Sequence, residues 1–160
     1  MNAAAQTPLQ RHIAQQQGQL ETLSALLQRE RTVLQQGEPD SHLLADLAAG
    51  KQQLLEDLNL REQRRRAVQQ QLGFEDSADG DTEAATRQGC LPGWHAVQAL
   101  AAEVARQNRL NGLLIDMRLH HNQRMLNFLR DCAREANPES GLYGPDGQAR
   151  QGSGQISSRV

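Results

Sequence analysis

The chain has 160 residues, with 17 Lys and Arg against 19 Asp and Glu, a formal net charge of −2. That length fits one domain, and the charge balance excludes an overall basic field for holding nucleic acid or an anionic membrane. Hydrophobic content of 38 % with only 2 % aromatic residues leaves a thin core made mostly of leucine, and the dominance of Leu, Ala and Gln predicts helices, because these side chains lose little freedom there.

Burying one leucine is worth roughly 1.5–3 kcal/mol, while ordering a residue's backbone costs about 1–2. Such a core holds only if helices pack along their length, so the expected fold is all-α, an elongated bundle of marginal stability that gains from a partner. Cys90 and Cys132 lie far apart in the sequence, and the N-terminal region lacks a basic segment followed by an apolar one. Both features predict a reducing, cytoplasmic setting. No apolar run approaches the roughly 20 residues of a membrane span.

The first helix is expected over about 8–36. Thr7 is its candidate cap, and Pro8 suits the first helical position, where its missing N–H is an orphan anyway. Steps of four and three give Leu9, Ile13, Gln16, Leu20, Leu23, Leu27, Glu30 and Leu34, an apolar seam interrupted by Gln16 and Glu30. The stretch Gln36–Ser41 stops it: Gly37 suits a left-handed position and Pro39 cannot continue the ladder.

A second helix, 41–72, is capped by Asp40 or Ser41. Its seam runs through Leu44, Leu47, Lys51, Leu54, Leu58, Arg61, Arg65, Val68 and Leu72. So short a connection turns it back along the first helix as an antiparallel hairpin with arms of about 45 Å. Residues 73–91 are rich in Gly, Ser and acids and read as a mobile acidic loop, with Thr82–Gln88 as a candidate short helix. The third helix is expected over 92–136, since Asn137 precedes Pro138 and is pushed out of the helical region. Asn111–Gly112 inside it is a turn signal, but apolar periodicity continues through Val97, Leu100, Val104, Leu114, Met125 and Leu129, which favours one continuous helix with a candidate kink. The predicted organisation is one bundle domain over 1–140, a hairpin plus a long third helix, followed by a turn and a polar, disordered tail over 141–160.

Few constellations carry chemistry. His120 and His121 point about 100° apart on a helix and cannot chelate one ion together, and zinc spacings are absent. Arg61–Arg66, "REQRRR", has no interleaved aromatics, so a solvated helix face is the preferred reading over a phosphate contact. A subsidiary expectation is that these arginines attract the acidic segment Glu75–Glu83. No nucleophile elbow, phosphate loop or dinucleotide fingerprint is present, so neither an enzyme nor a cofactor is expected. In the third helix Asn108, Asn111, Arg118 and Asn122 share one stripe and interleave with Val104, Ile115, Met125 and Leu129. Two readings stay open: a coiled-coil seam whose asparagines set register, or a face that receives a partner helix.

The segment "RQNRLNGLLIDMRLHHNQRMLNFL", Arg106–Leu129, and the turn "LYGPDGQ", Leu142–Gln148, together with the order of elements, resemble the FlgN family of flagellar type III export chaperones. The resemblance implies a cytosolic binding protein without catalysis. Its partners would be the hook–filament junction proteins FlgK and FlgL, held by their C-terminal helical segments, and the export gate protein FlhA; nucleic acid and stable membrane insertion are not implied. The family's binding region falls here on Asn108, Asn111, Leu114, Arg118, Asn122, Met125 and Leu129, and its gate-docking tyrosine on Tyr143. Met117 and Met125 can repack for two related clients. The competing expectation is a coiled-coil scaffold that self-associates through the same stripe.

Overall fold

The computed structural model describes residues 5–136. Helix α1 (Pro8–Leu34) starts as its sequence allows: Thr7 Oγ1 accepts from the Gln10 N–H, and Gln10 Oε1 accepts from the Thr7 N–H in return. All eight seam positions from Leu9 to Leu34, Gln16 and Glu30 included, are buried. The helix ends at Gln35 with ordinary right-handed geometry. Gly37 does not adopt a positive φ; among the described residues only Gly73 and Gly89 do.

Asp40 caps α2 (Ser41–Gln71), its carboxylate accepting from the His42 and Leu43 N–H groups. Polar partners on α1 fall as those on α2 rise: Glu30 takes Lys51 at 2.8 Å, Gln19 takes Arg61 at 2.9 Å, and Gln16 donates to Glu62 at 2.7 Å. Gly73 then closes α2. Its N–H donates to Gln70 O and the Phe74 N–H to Gln69 O, the paired bonds of a left-handed C-terminal cap that only glycine adopts without strain.

The segment after Gly73 departs from the expected mobile loop. Ala78–Arg87 is a full helix, α3, wider than the short candidate at Thr82–Gln88. Ser77 caps it by accepting from the Gly80 N–H, Asp79 and Asp81 occupy its first turn, and Gly89 closes it with the same paired bonds to Thr86 and Ala85. Ala84 and Ala85 are buried in the core. Helix α4 (Leu91–Ala136) is continuous through Asn111–Gly112. The described residues thus form four helices and no strand, the three long ones expected and α3, which the sequence offers only as the short candidate at Thr82–Gln88. Residues up to Asp116 make one compact unit and those from Met117 another. The core of the first unit joins Leu9, Ile13, Leu20, Leu23 and Leu27 to Ala84, Ala85, Trp94, Val97 and Val104. Tyr143 and the expected tail lie outside the described residues.

The arginine run holds α3 in place. Arg65 is only 1 % exposed, which overturns a solvated reading for it. Its Nε and Nη2 donate to Glu62, each at 2.8 Å, its Nη1 to Gln69 at 2.7 Å and its Nη2 to Asp81 of α3 at 3.2 Å. The guanidinium also sits 4.5 Å from the centre of the Trp94 ring. Arg66 bridges Glu62 and Asp76. The attraction between the arginines and the acidic segment is therefore real and partly buried. Burial alone would raise the Glu62 pKa, but hydrogen bonds from Arg65, Arg66 and Gln16 outweigh it and hold it down to about 2.

Two outcomes follow. A Cβ at Gly80 would run into the backbone carbonyl of Glu75. Alanine's helix propensity favours it by about 1 kcal/mol, yet a backbone obstacle costs more, so Gly80→Ala should lose about 1–2 kcal/mol net in urea unfolding. The Glu62 contribution is complete above its unfolded value near 4.5 and is lost as pH falls through about 2. Discounted for 30 % side-chain exposure, it is worth on the order of 1–2 kcal/mol at neutral pH. Glu62→Gln should lose about that much and flatten the fall of stability between those two pH values. Parallel curves for variant and parent there would refute the assignment.

Candidate functional site

Helix α4 carries the stripe that the sequence singles out, and the structure treats its members differently. Asn108 is exposed at the border of an open apolar groove of about 290 Å³, lined by Leu20, Leu23 and Leu27 of α1, Leu55 and Leu58 of α2, and Val104 of α4. Asn111, by contrast, is 0 % exposed. Its Nδ2 donates to Leu27 O and to Glu30 Oε2, both at 2.8 Å, and its Oδ1 accepts from Arg31 Nε at 3.4 Å. Both amide N–H groups are thus spent on α1, so Asn111 sets register between helices and has no donor left for another molecule. Glu30 binds Lys51 with its other oxygen, so one buried carboxylate ties α1, α2 and α4 together. One helical turn before Asn111, Gln107 accepts from Ser24 at 3.2 Å.

Leu114 and Arg118 are half-buried, whereas Asn122, Met125 and Leu129 are exposed. From Met117 to Ala136 the helix buries none of its side chains. At 100° per residue, Met117, Phe128, Met125, Leu129, Leu126 and Leu119 fall on an arc of roughly 200°. Met117, Leu126 and Phe128 are about three-fifths exposed, and Met125 and Leu129 about half. Single exposed leucines need no explanation, but six large apolar side chains exposed on one arc make a candidate interaction surface.

Stepping by four and three finds Met125 and Leu129 but passes over Leu113, Leu119, Leu126 and Phe128. The available signal is how widely the large apolar residues spread: a two-helix seam needs a narrow stripe, while here they are distributed over more than half the circumference. Arg118, His121 and Asn122 interrupt the arc, Arg118 at its middle, and Gln123 donates to Asn127 on the opposite side at 3.1 Å.

Chemistry of other kinds finds little support in these residues. Among the described residues no group of three His, Cys, Asp or Glu side chains is placed to hold a metal ion. Burial pushes the Cys90 thiol up, away from the reactive thiolate. Arg61 donates to Gln15 and Gln19, and Arg65 and Arg66 are committed to carboxylates, while Arg64 is exposed on the helix surface. No described helix is long and apolar enough to cross a membrane.

Comparison with known proteins agrees with the residues that carry the resemblance. A flagella synthesis protein FlgN from Proteus mirabilis is 29 % identical over 136 residues, covering 85 % of this chain and 86 % of that protein. Its counterpart from Yersinia enterocolitica is 26 % identical over 142 residues, 89 % of each chain. No solved structure matches significantly. The family described as FlgN protein matches residues 1–151, nearly the whole length, and the chain belongs to that family.

Proposed function

We propose that this chain is a cytosolic flagellar export chaperone without catalytic activity. It binds the C-terminal helical segments of FlgK-like and FlgL-like hook–filament junction proteins, prevents their early assembly and hands them to the export gate protein FlhA. The single observation that carries this reading is the exposed apolar face of α4 from Met117 onward in a member of a flagellar synthesis family. A subunit destined for a polymer has a terminal amphipathic helix that would find its neighbours, and such a face buries that helix reversibly.

The first unit serves as the support. We read the α1–α2 polar pairs as those of an antiparallel hairpin, with the first part of α4 as its third long helix. In this reading Leu114, Arg118, Asn122, Met125 and Leu129 contact the client, with the methionines adapting to two related sequences. Asn108 contributes from the groove border, and Asn111 acts only by holding α4 to α1. Tyr143 docks the loaded chaperone at the gate.

Replacing both Met125 and Leu129 by Asp should abolish co-purification with C-terminal FlgK-like and FlgL-like fragments, a loss of at least about 100-fold in affinity. Both sites are exposed, so circular dichroism should be unchanged. Intact client binding by that well-folded variant would sink the site, and a stable oligomer indifferent to client in sedimentation would favour a self-associating scaffold. Tyr143→Ala should spare client binding and lower FlhA binding and client export. Loss of client binding instead would make the ring a lid on α4.

A further inference from the structure

The face from Met117 to Ala136 has unequal edges. Turning at 100° per residue places Arg130 and Arg134 along one border of the apolar arc, with only Gln123 and Asn127 near them. The other border mixes Arg124 with Asp131 and Glu135, and the fourth arginine, half-buried Arg118, falls at the middle of the arc. Over these residues four arginines stand against two acids, a net +2, in a chain whose total is −2. Arg130 and Arg134 are exposed and one helical turn apart, so both guanidinium groups are available to carboxylates of one partner helix, in the bidentate geometry arginine favours.

We propose that this face takes an amphipathic helix with one acidic polar edge, whose carboxylates meet Arg130 and Arg134 and so fix a single direction of docking. The proposal rests on the chaperone reading above and names the chemistry of the client segment. A reversed helix would bring its carboxylates to the border that holds Asp131 and Glu135 and leave Arg130 and Arg134 unpaired, so the two borders together select one direction. A lipid surface is the poorer occupant, because Asn122 and His121 lie within the apolar arc and need hydrogen-bonding partners that acyl chains do not offer. A second copy docked antiparallel would bring the arginine edge against itself.

The test uses the full chain and two synthetic helical peptides of equal length. Both carry leucines at i, i+3, i+4 and i+7. One has Glu along a single polar edge and the other Lys. The Glu-edged peptide should bind at least about tenfold more tightly at low salt, and the gap should shrink as ionic strength rises. Arg130→Glu with Arg134→Glu should reverse the preference with helicity unchanged. Equal binding of the two peptides, an unreversed preference in the double variant, stronger binding to phosphatidylserine vesicles than to either peptide, or a self-associated dimer that excludes both peptides would each overturn the proposal. A FlgK-like fragment separates the two levels. If that fragment binds through Met125 and Leu129 but ignores the charge reversal, the edge proposal fails and the chaperone reading stands. If the fragment does not bind while the Glu-edged peptide binds and responds to reversal, the reading fails and the edge proposal stands.

Discussion

The guanidinium of Arg65 is the point on which the first unit turns. An isolated buried cation is untenable, because the effective cost of removing it from water is several kcal/mol. The protein meets that cost by converging Glu62, Gln69, Asp81 and the Trp94 ring on one side chain. These come from α2, α3 and α4, so Glu62 balances the charge within α2 and the full set of partners is complete only when all three helices are in place. A chain with so few aromatics and so thin a core has little apolar surface to specify where a ten-residue helix of mainly small and acidic residues should sit. The arginine supplies that specification. Gln69 extends it by donating to Glu75 O at 2.6 Å, beside the turn that Gly73 makes possible.

A second polar node repeats the logic. Glu30 is 2 % exposed, and its carboxylate accepts from Lys51 and Asn111. Leucines in a seam slide past one another at small cost, since one leucine-sized hole resembles the next. A carboxylate that must find an ammonium on one helix and an amide on another cannot slide by a turn without leaving its partners, or itself, buried and unsatisfied. Glu30 and Arg65 therefore set register at separate positions, and the leucines between them supply the affinity.

Much of this was legible in the sequence, and the parts that were not share a cause. The α1 seam could be read residue by residue because leucine spacing alone decides it, and even Gln16 and Glu30 fell on it. Helix α3 is legible only as the short candidate at Thr82–Gln88, because its buried residues are Gly80, Ala84 and Ala85, which leave no apolar period to fix its extent. Its signals were the cap Ser77, acids in the first turn and a glycine after the last, each also common in loops. The burial of Arg65 was hidden for the opposite reason. A run of charges looks solvated until one knows which carboxylates fold onto it, and those lie across a turn whose geometry depends on Gly73. On α4 the stripe was found but not its division: Asn111 and Asn122 look alike in sequence, while one has both N–H groups engaged and the other is exposed.

That division bears on how the same helix can serve stability and binding. Up to Asp116 the polar side chains of α4 that reach α1 are used internally, and their loss would cost folding. From Met117 onward the apolar side chains are left to solvent, and the folded unit gains little from them. An exposed methionine or phenylalanine keeps much of its surface in water until a partner arrives, so a large share of its transfer free energy is available to binding. Full burial of such a side chain is worth roughly 1.5–3 kcal/mol, of which the exposed share is on offer here, and ordering two helices against each other consumes a substantial part of the sum. Under the proposed chaperone reading, the result is a complex of moderate affinity, one that forms readily and yields when the partner helix is drawn away. A tighter face would require burying more of the arc, and a face already satisfied within the chain would have nothing left to offer.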